Sequence, residues 1–102
     1  MTRKRVASIS DLPAGSLRRL VVRGEPVCLA HARDGTVYAV SDICSHEEAS
    51  LSEGELLGRE IECPLHVSRF DLRTGSPVAP PATLSIKTYR VTVEGDDVYI
   101  EE

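Results

Sequence analysis

The sequence predicts an all-β domain of many short antiparallel strands. Three observations support this prediction: β-type runs recur along the chain, turn residues separate them, and no segment carries a capped apolar stripe of helical period. The 102 residues suit one domain spanning 1–102, and the hydrophobic content of 41% is sufficient for a modest core.

The predicted strands follow one another with short connections. In chain order they read RVASIS, LRRLVVRG, PVCLAHA, TVYAVSD, EIEC, IKTYRVTVE and DVYIEE. The dipeptide Asp34-Gly35 lies between the third and fourth runs, and Gly95-Asp96 lies between the last two. Both are strong turn signals, which indicates two hairpins.

Two segments between the runs do not read as strands. The segment GELLGREI could form a helical turn, but Gly54 and Gly58 bracket it too tightly for a stable helix. The segment TGSPVAPPATL holds three prolines and a glycine, which predicts a stiff loop outside the strands.

Charge and composition exclude several classes of function. The formal net charge is −4, so nucleic acid is not an expected partner. No stretch is long and apolar enough to span a bilayer, so no membrane association is expected. The basic start MTRKRVASIS is not followed by an apolar run, so it does not read as a secretory signal, and we expect a cytoplasmic protein.

Cysteine and histidine are rare in this chain, and most of them form two short-range pairs. Of three cysteines and three histidines, Cys44 and His46 are two positions apart, and Cys63 and His66 are three apart. An odd cysteine count argues against a disulfide framework, and a cytoplasmic location would keep thiols reduced. Each pair follows a predicted strand, so two neighbouring loops could bring four ligands to one point.

Thiolate sulfur and neutral imidazole suit zinc or iron, and three interpretations remain open. One structural zinc could take all four residues, although zinc fingers place both cysteines before both histidines. The four residues could also be unconnected loop or core residues. The third interpretation is a two-iron cluster in which thiolates hold one iron and imidazoles the other, and the interleaved order fits it directly.

The pairs CSH and CPLH, with the following RFDLRTG, resemble the signature of bacterial Rieske-type [2Fe-2S] ferredoxins, the carriers of ring-hydroxylating dioxygenase systems. The resemblance covers about residues 27–100. It implies an antiparallel β-sandwich with a small cluster-binding subdomain. It also implies one [2Fe-2S] cluster per chain, with Cys44 and Cys63 on the inner iron and His46 and His66 on the outer iron.

The same resemblance places the cluster-binding loops at about 43–49 and 63–70. A proline-rich loop at about 75–83 would cover the cluster, with Pro81 closest to it. One residue departs from the family pattern: Val67 stands where a glycine often follows the second histidine. A backbone position that needs positive φ would resist this β-branched residue.

Other candidate residues have simpler interpretations. Cys28 lies within a strand pattern and is predicted to be a small buried hydrophobic residue. His31 is predicted to be solvated or hydrogen-bonded rather than a ligand. Six glutamates lie between the ligand pairs and could be a solvated face or an acidic rim for a basic partner; they are Glu47, Glu48, Glu53, Glu55, Glu60 and Glu62.

The resemblance implies a monomeric one-electron carrier rather than an enzyme. It would take electrons from an NAD(P)H-dependent flavoprotein reductase and pass them to a terminal Rieske non-haem iron oxygenase. The alternatives are a small Rieske subunit of a larger, nitrite reductase-like complex and a cluster-bearing assembly or regulatory subunit.

The reduction potential is expected toward the low end of the Rieske range, which spans roughly −150 to +300 mV. By the resemblance, Ala49 and Leu65 stand where high-potential members carry a disulfide. Phe70 stands where those members carry a tyrosine that donates to a ligand sulfur. Ser68 matches a serine that donates to a bridging sulfide and would raise the potential somewhat.

Overall fold

The strands of the described residues are all antiparallel to their neighbours, as the sequence predicts. The computed structural model describes residues 3–45, 49–64, 68–79 and 84–101. The strands are β1 (Arg3–Ser8), β2 (Leu17–Val22), β3 (Glu25–His31), β4 (Val37–Ser41), β5 (Glu55–Leu57), β6 (Glu60–Glu62), β7 (Arg69–Asp71), β8 (Pro77–Ala79), β9 (Thr88–Tyr89), β10 (Val91–Glu94) and β11 (Asp97–Glu101). Two 3₁₀ turns, Ile9–Asp11 and Leu51–Glu53, are the only helical elements in these ranges.

The strands form three sheets, with the orders β1-β11-β10, β2-β3-β4-β9 and β5-β6-β7-β8. The second sheet is the central layer because both of its faces are covered. Val27 and Leu29 of β3 belong to a buried cluster that also contains Ile100 of β11, while Cys28 and Ala30 belong to a second cluster with Ile61 of β6. Burial on both faces explains why β3 is an almost continuous apolar run rather than an alternating one.

Turn chemistry supports the predicted hairpins. Gly35 and Gly95 both adopt positive φ, at 94° and 61°, where an L side chain would be strained. Gly35 lies between β3 and β4, and Gly95 lies between β10 and β11. Within the described ranges, no helix has the length and apolar character needed to cross a membrane.

The prediction of a strand-free proline-rich segment was wrong in part. Pro77 is the first residue of β8, and it pairs with Phe70 of β7. β8 is the edge strand of its sheet, where a residue without an N–H can be accommodated because one side of the strand needs no ladder partner. The three-residue strands β5 and β7 were not predicted either, since so few residues show no clear period.

Candidate metal centre

Cys44 and Cys63 are brought into the same buried cluster by different sheets. Cys44 follows β4 of the central sheet, and Cys63 follows β6 of the third sheet. Their relative exposures are only 3% and 2%, and both belong to the cluster that includes Phe70. Neither cysteine is in a disulfide. The structure therefore places both predicted thiol ligands in one apolar region.

The two cysteines begin loops with the same backbone closure. The N–H of Cys44 donates to the carbonyl oxygen of Ala49 at 3.0 Å, and the N–H of Cys63 donates to that of Ser68 at 2.7 Å. Each bond therefore closes a four-residue connection, 45–48 in the first loop and 64–67 in the second. Two matching loops of this kind are suited to hold a single group between them.

The predicted histidine ligands, His46 and His66, lie outside the described residues, and so do Pro81, Val67, Leu65, Glu47 and Glu48. The assignment of the histidines to an outer iron stays a prediction. Among the described residues alone, no three His, Cys, Asp or Glu side chains are grouped as a metal site. Cys28 is therefore not a third member of a site with the other two cysteines.

The described part of the site fits the thiolate half of a mixed Cys/His centre. Ionised thiolates would be costly to bury in an apolar cluster without a compensating charge. A metal ion supplies that charge and deprotonates a coordinating thiol. Two buried thiols without a disulfide, at the starts of matching loops, are the donor set that such a group needs.

Two glycines allow the close backbone approaches that support the loops. A Cβ on Gly54 would lie 1.8 Å from the carbonyl oxygen of Glu62, the residue before Cys63. A Cβ on Gly75 would lie 2.1 Å from the carbonyl oxygen of Ile86, and Gly75 also has a positive φ of 76°. Any side chain at either position would force the chain beside the site to shift.

A buried carboxylate, which sequence reasoning missed, organises the base of the first loop. Asp42 is only 1% exposed. Its Oδ1 accepts the N–H of Ser52 at 2.8 Å, its Oδ2 accepts the hydroxyl of Ser50, and its carbonyl oxygen accepts the N–H of Leu51 at 2.7 Å. A single aspartate at the end of a strand pattern reads as an ordinary turn residue, so the sequence offered only a weak signal.

The two loops have different surroundings at the surface. Beside the first loop, Ile43 and Leu84 are 49% and 66% exposed, and the hydroxyl of Ser45 donates to the carbonyl oxygen of Leu84 at 2.6 Å. Beside the second loop, a groove of about 240 Å³ is lined by three glutamates together with Gly54, Cys63 and Pro64; the glutamates are Glu53, Glu55 and Glu62.

The predictions for Cys28 and His31 are confirmed. Cys28 is fully buried, and burial, with a smaller effect from the charge of Asp42, raises the pKa of its thiol to about 12. It is therefore a neutral core residue. His31 is 9% exposed, and its Nδ1 lies 2.6 Å from the carbonyl oxygen of Leu12, which accepts a hydrogen bond from the ring.

Comparison with known proteins agrees with this geometry. A family model described as "Rieske [2Fe-2S] domain" matches residues 2–90. The ferredoxin component of a naphthalene 1,2-dioxygenase system from Pseudomonas aeruginosa is 41% identical over 103 residues, covering 99% of this chain and 98% of that protein.

Solved structures give the same result. The ferredoxin of carbazole 1,9a-dioxygenase from Nocardioides aromaticivorans IC177 has a TM-score of 0.92 and 42% identity, covering 98% of this chain and 97% of that one. A ferredoxin chain in a complex of reduced oxygenase and oxidised ferredoxin of carbazole 1,9a-dioxygenase has a TM-score of 0.89 and 37% identity, covering 96% and 100%. A protein described as the small subunit of a putative NADPH nitrite reductase is less similar in sequence, at 28% identity with a TM-score of 0.87 over 100% of both chains.

Proposed function

The chain belongs to the Rieske [2Fe-2S] domain family, and on that basis we propose that it carries single electrons from an NAD(P)H-dependent flavoprotein reductase to a Rieske non-haem iron oxygenase. The observation that carries the proposal is the pair of buried cysteines, Cys44 and Cys63, at the starts of two matching loops. Its relatives are electron-transfer components rather than catalytic enzymes.

The cofactor is a Rieske-type [2Fe-2S] cluster. We assign Cys44 and Cys63 as the thiolate ligands and, from the sequence motif, His46 and His66 as the imidazole ligands. When bound, such a cluster supplies a reversible one-electron couple. The protein itself excludes water from the thiolate ligands. Ile61 and Phe70 support this role, because both are fully buried in the apolar core cluster that contains the two cysteines.

The second loop offers a surface for a basic partner. Glu60 forms an ion pair with Arg69 at 3.3 Å, whereas Glu53, Glu55 and Glu62 have no ion pair with any described residue. Glu55 and Glu62 also face each other across β5 and β6, where like charges are destabilising. Glutamates that have no ion pair within the described part of the chain, beside a ligand loop, support docking that is guided by charge.

The remaining parts of this proposal concern oligomeric state, location and partners. We propose a monomer that acts in the cytoplasm, where the three thiols of this chain, none of them in a disulfide, would stay reduced. The terminal oxygenase is supported by relatives named as ferredoxin components of dioxygenase systems and by the related ferredoxin that is seen in complex with an oxygenase.

A second candidate is the small subunit of a larger reductase, because a nitrite reductase small subunit shares the fold over its full length. The two candidates differ in how the partner is held. A shuttle must leave one partner to reach the next, whereas a subunit stays attached to a large catalytic chain. The higher identity to dioxygenase ferredoxins favours the shuttle.

The test is a stopped-flow measurement with the flavoprotein reductase and the oxygenase whose genes neighbour this one. We expect NADH and reductase to bleach the visible absorption of the loaded protein, and oxygenase to restore it, with rates that rise with protein concentration. Stable co-purification with one large catalytic subunit, and no exchange between partners, would favour the second candidate.

A further inference from the structure

The buried carboxylate of Asp42 lies on the same side of the chain as the first cysteine ligand. Asp42 and Cys44 are 1% and 3% exposed, while Ile43 between them is 49% exposed. Side chains two residues apart in extended chain share a face and are separated by about 6.5 Å along it. The Asp42 carboxylate and the Cys44 thiol therefore both point into the protein from adjacent inward-facing positions of one segment.

The charge of Asp42 is felt in this buried cluster. Its electrostatic effect, after that of burial, contributes to the raised pKa of Cys28, which belongs to the same cluster as Cys44 and Cys63. A fixed negative charge at this depth acts through a medium that screens it much less than water does.

Arg19 partly compensates this charge from the solvent side. Its Nε lies 3.2 Å from Oδ2 of Asp42, and its side chain is 55% exposed. Arg19 stands opposite Cys28 in the β2–β3 register, which places it on the face of the sheet that covers the cysteine cluster. The negative end of the pair is thus buried beside Cys44, and the positive end is in water.

We propose that the charges of Asp42 and Arg19 together tune the reduction potential of the bound cluster. This inference rests on the proposed function. Asp42 lowers the potential because uptake of one electron adds negative charge next to an existing buried negative charge. Arg19 offsets part of this effect. The hydrogen bonds from Ser50 and Ser52 hold the carboxylate in place, so the same residue also fixes the base of the first loop.

The chain contains a matched control for Arg19. Arg18 is its neighbour on β2 and is also exposed, but it stands opposite Leu29, whose side chain belongs to the other buried cluster. Arg18 has no ion pair with any described residue. Arg18→Gln and Arg19→Gln therefore remove the same charge from adjacent positions on opposite faces of one strand.

The experiment is voltammetry on the purified holoprotein and three variants, after confirming the visible spectrum of a loaded cluster. We expect Arg19→Gln to lower the potential and Arg18→Gln to change it much less. Asp42→Asn keeps the shape and an acceptor oxygen, so we expect a raised potential with the cluster retained.

Equal shifts in the two arginine variants, or an unchanged potential in Asp42→Asn, would overturn the inference. The arginine comparison decides even if Asp42→Asn does not retain the cluster, because both arginines are exposed and neither variant is expected to unfold. A wild-type protein without a [2Fe-2S] spectrum would instead contradict the proposed function, so the two failures are distinguishable.

Discussion

The two cysteine loops close in the same way but are supported differently. In the second loop, the closure from Cys63 to Ser68 continues the backbone ladder of β6 and β7, in which Glu62 pairs with Arg69. In the first loop, an isolated bridge between Ile43 and Ser50 precedes the closure, and the N–H of Leu51 donates to the carbonyl oxygen of Asp42. Side-chain bonds to the Asp42 carboxylate reinforce this short backbone pairing.

The comparison teaches that a strand ladder supports one end of the site, whereas a short backbone pairing reinforced by a buried carboxylate supports the other. The second loop, on the β6–β7 ladder, carries the acidic groove. The first loop is reinforced by the buried carboxylate of Asp42, and the exposed residues Ile43 and Leu84 beside it are apolar. Substitutions in each loop can test whether the two loops share one function despite these different supports.

The largest expected effect is loss of the cluster from either loop. Cys44→Ser and Cys63→Ser should each abolish the visible absorption and lower the thermal midpoint, because metal binding and folding are coupled. Cys28→Ser is the matched control, since it removes a buried thiol from the same core cluster but should retain the absorption. Bleaching in the control would show that the wrong cysteines were assigned.

The next effect is a pH dependence of the stability that comes from Cys28. Its thiol pKa is 9.0 ordinarily and about 12 in the fold, so the unfolded chain loses its proton first as pH rises. The free energy of unfolding should therefore fall by about 1.4 kcal/mol per pH unit between these values, a contribution that is fully present below pH 9.

Cys28→Ala removes this dependence, and the comparison is made by urea unfolding of the metal-free proteins from pH 8 to 11. We expect the variant to be less stable at pH 8 because it leaves a cavity, but to lose stability more slowly above pH 9. Parallel curves for the two proteins would contradict a neutral, buried Cys28 thiol.

A smaller effect should mark the second loop as the docking surface. Glu62→Lys should slow electron transfer with at least one partner several-fold at low salt, and added salt should reduce the difference. The same change places a lysine opposite Glu55, so it should also stabilise the fold by about 0.2–1 kcal/mol. If Glu62 had only a structural role, a substitution that stabilises the fold would not be expected to slow electron transfer.

Asp11→Lys is the control because it changes the net charge equally at an exposed position in the first 3₁₀ turn. If both reversals change the rate to the same extent, only the overall charge matters. The glutamates would then be a solvated face, and the asymmetry between the loops would have no part in docking.

The smallest effects concern the potential. Phe70 and Ser68 are both fully buried and lie in or beside β7, so their side chains are shielded from water. Phe70→Tyr should raise the potential by adding a donor near the ligand sulfurs, and Ser68→Ala should lower it by removing one. Voltammetry checks both, and shifts of the opposite sign would refute the predicted donor roles.

Much of the fold could be predicted because its signals are local. Asp34-Gly35 and Gly95-Asp96 mark hairpins, and the apolar run of β3 marks a strand. The placement of Cys63 just after a strand was also predicted correctly, and Cys44 follows β4 after the two intervening residues Asp42 and Ile43. These features depend on neighbouring residues, which the sequence displays directly.

The missed features depend on contacts between distant residues. Pro77 is compatible with a strand only because β8 is an edge strand, which the local sequence does not reveal. Asp42 reads as a turn residue until its carboxylate meets Ser50 and Ser52, which are eight and ten positions away. The role of a buried polar residue is defined by its partners, and these are known only from the fold.

The central claim is that both loops hold one two-iron cluster, and metal analysis tests it most directly. Protein purified without oxygen from iron-replete cells should contain about two irons and two acid-labile sulfides per chain. One zinc ion per chain and no sulfide would contradict the claim, because Cys44 and Cys63 would then belong to a structural zinc site.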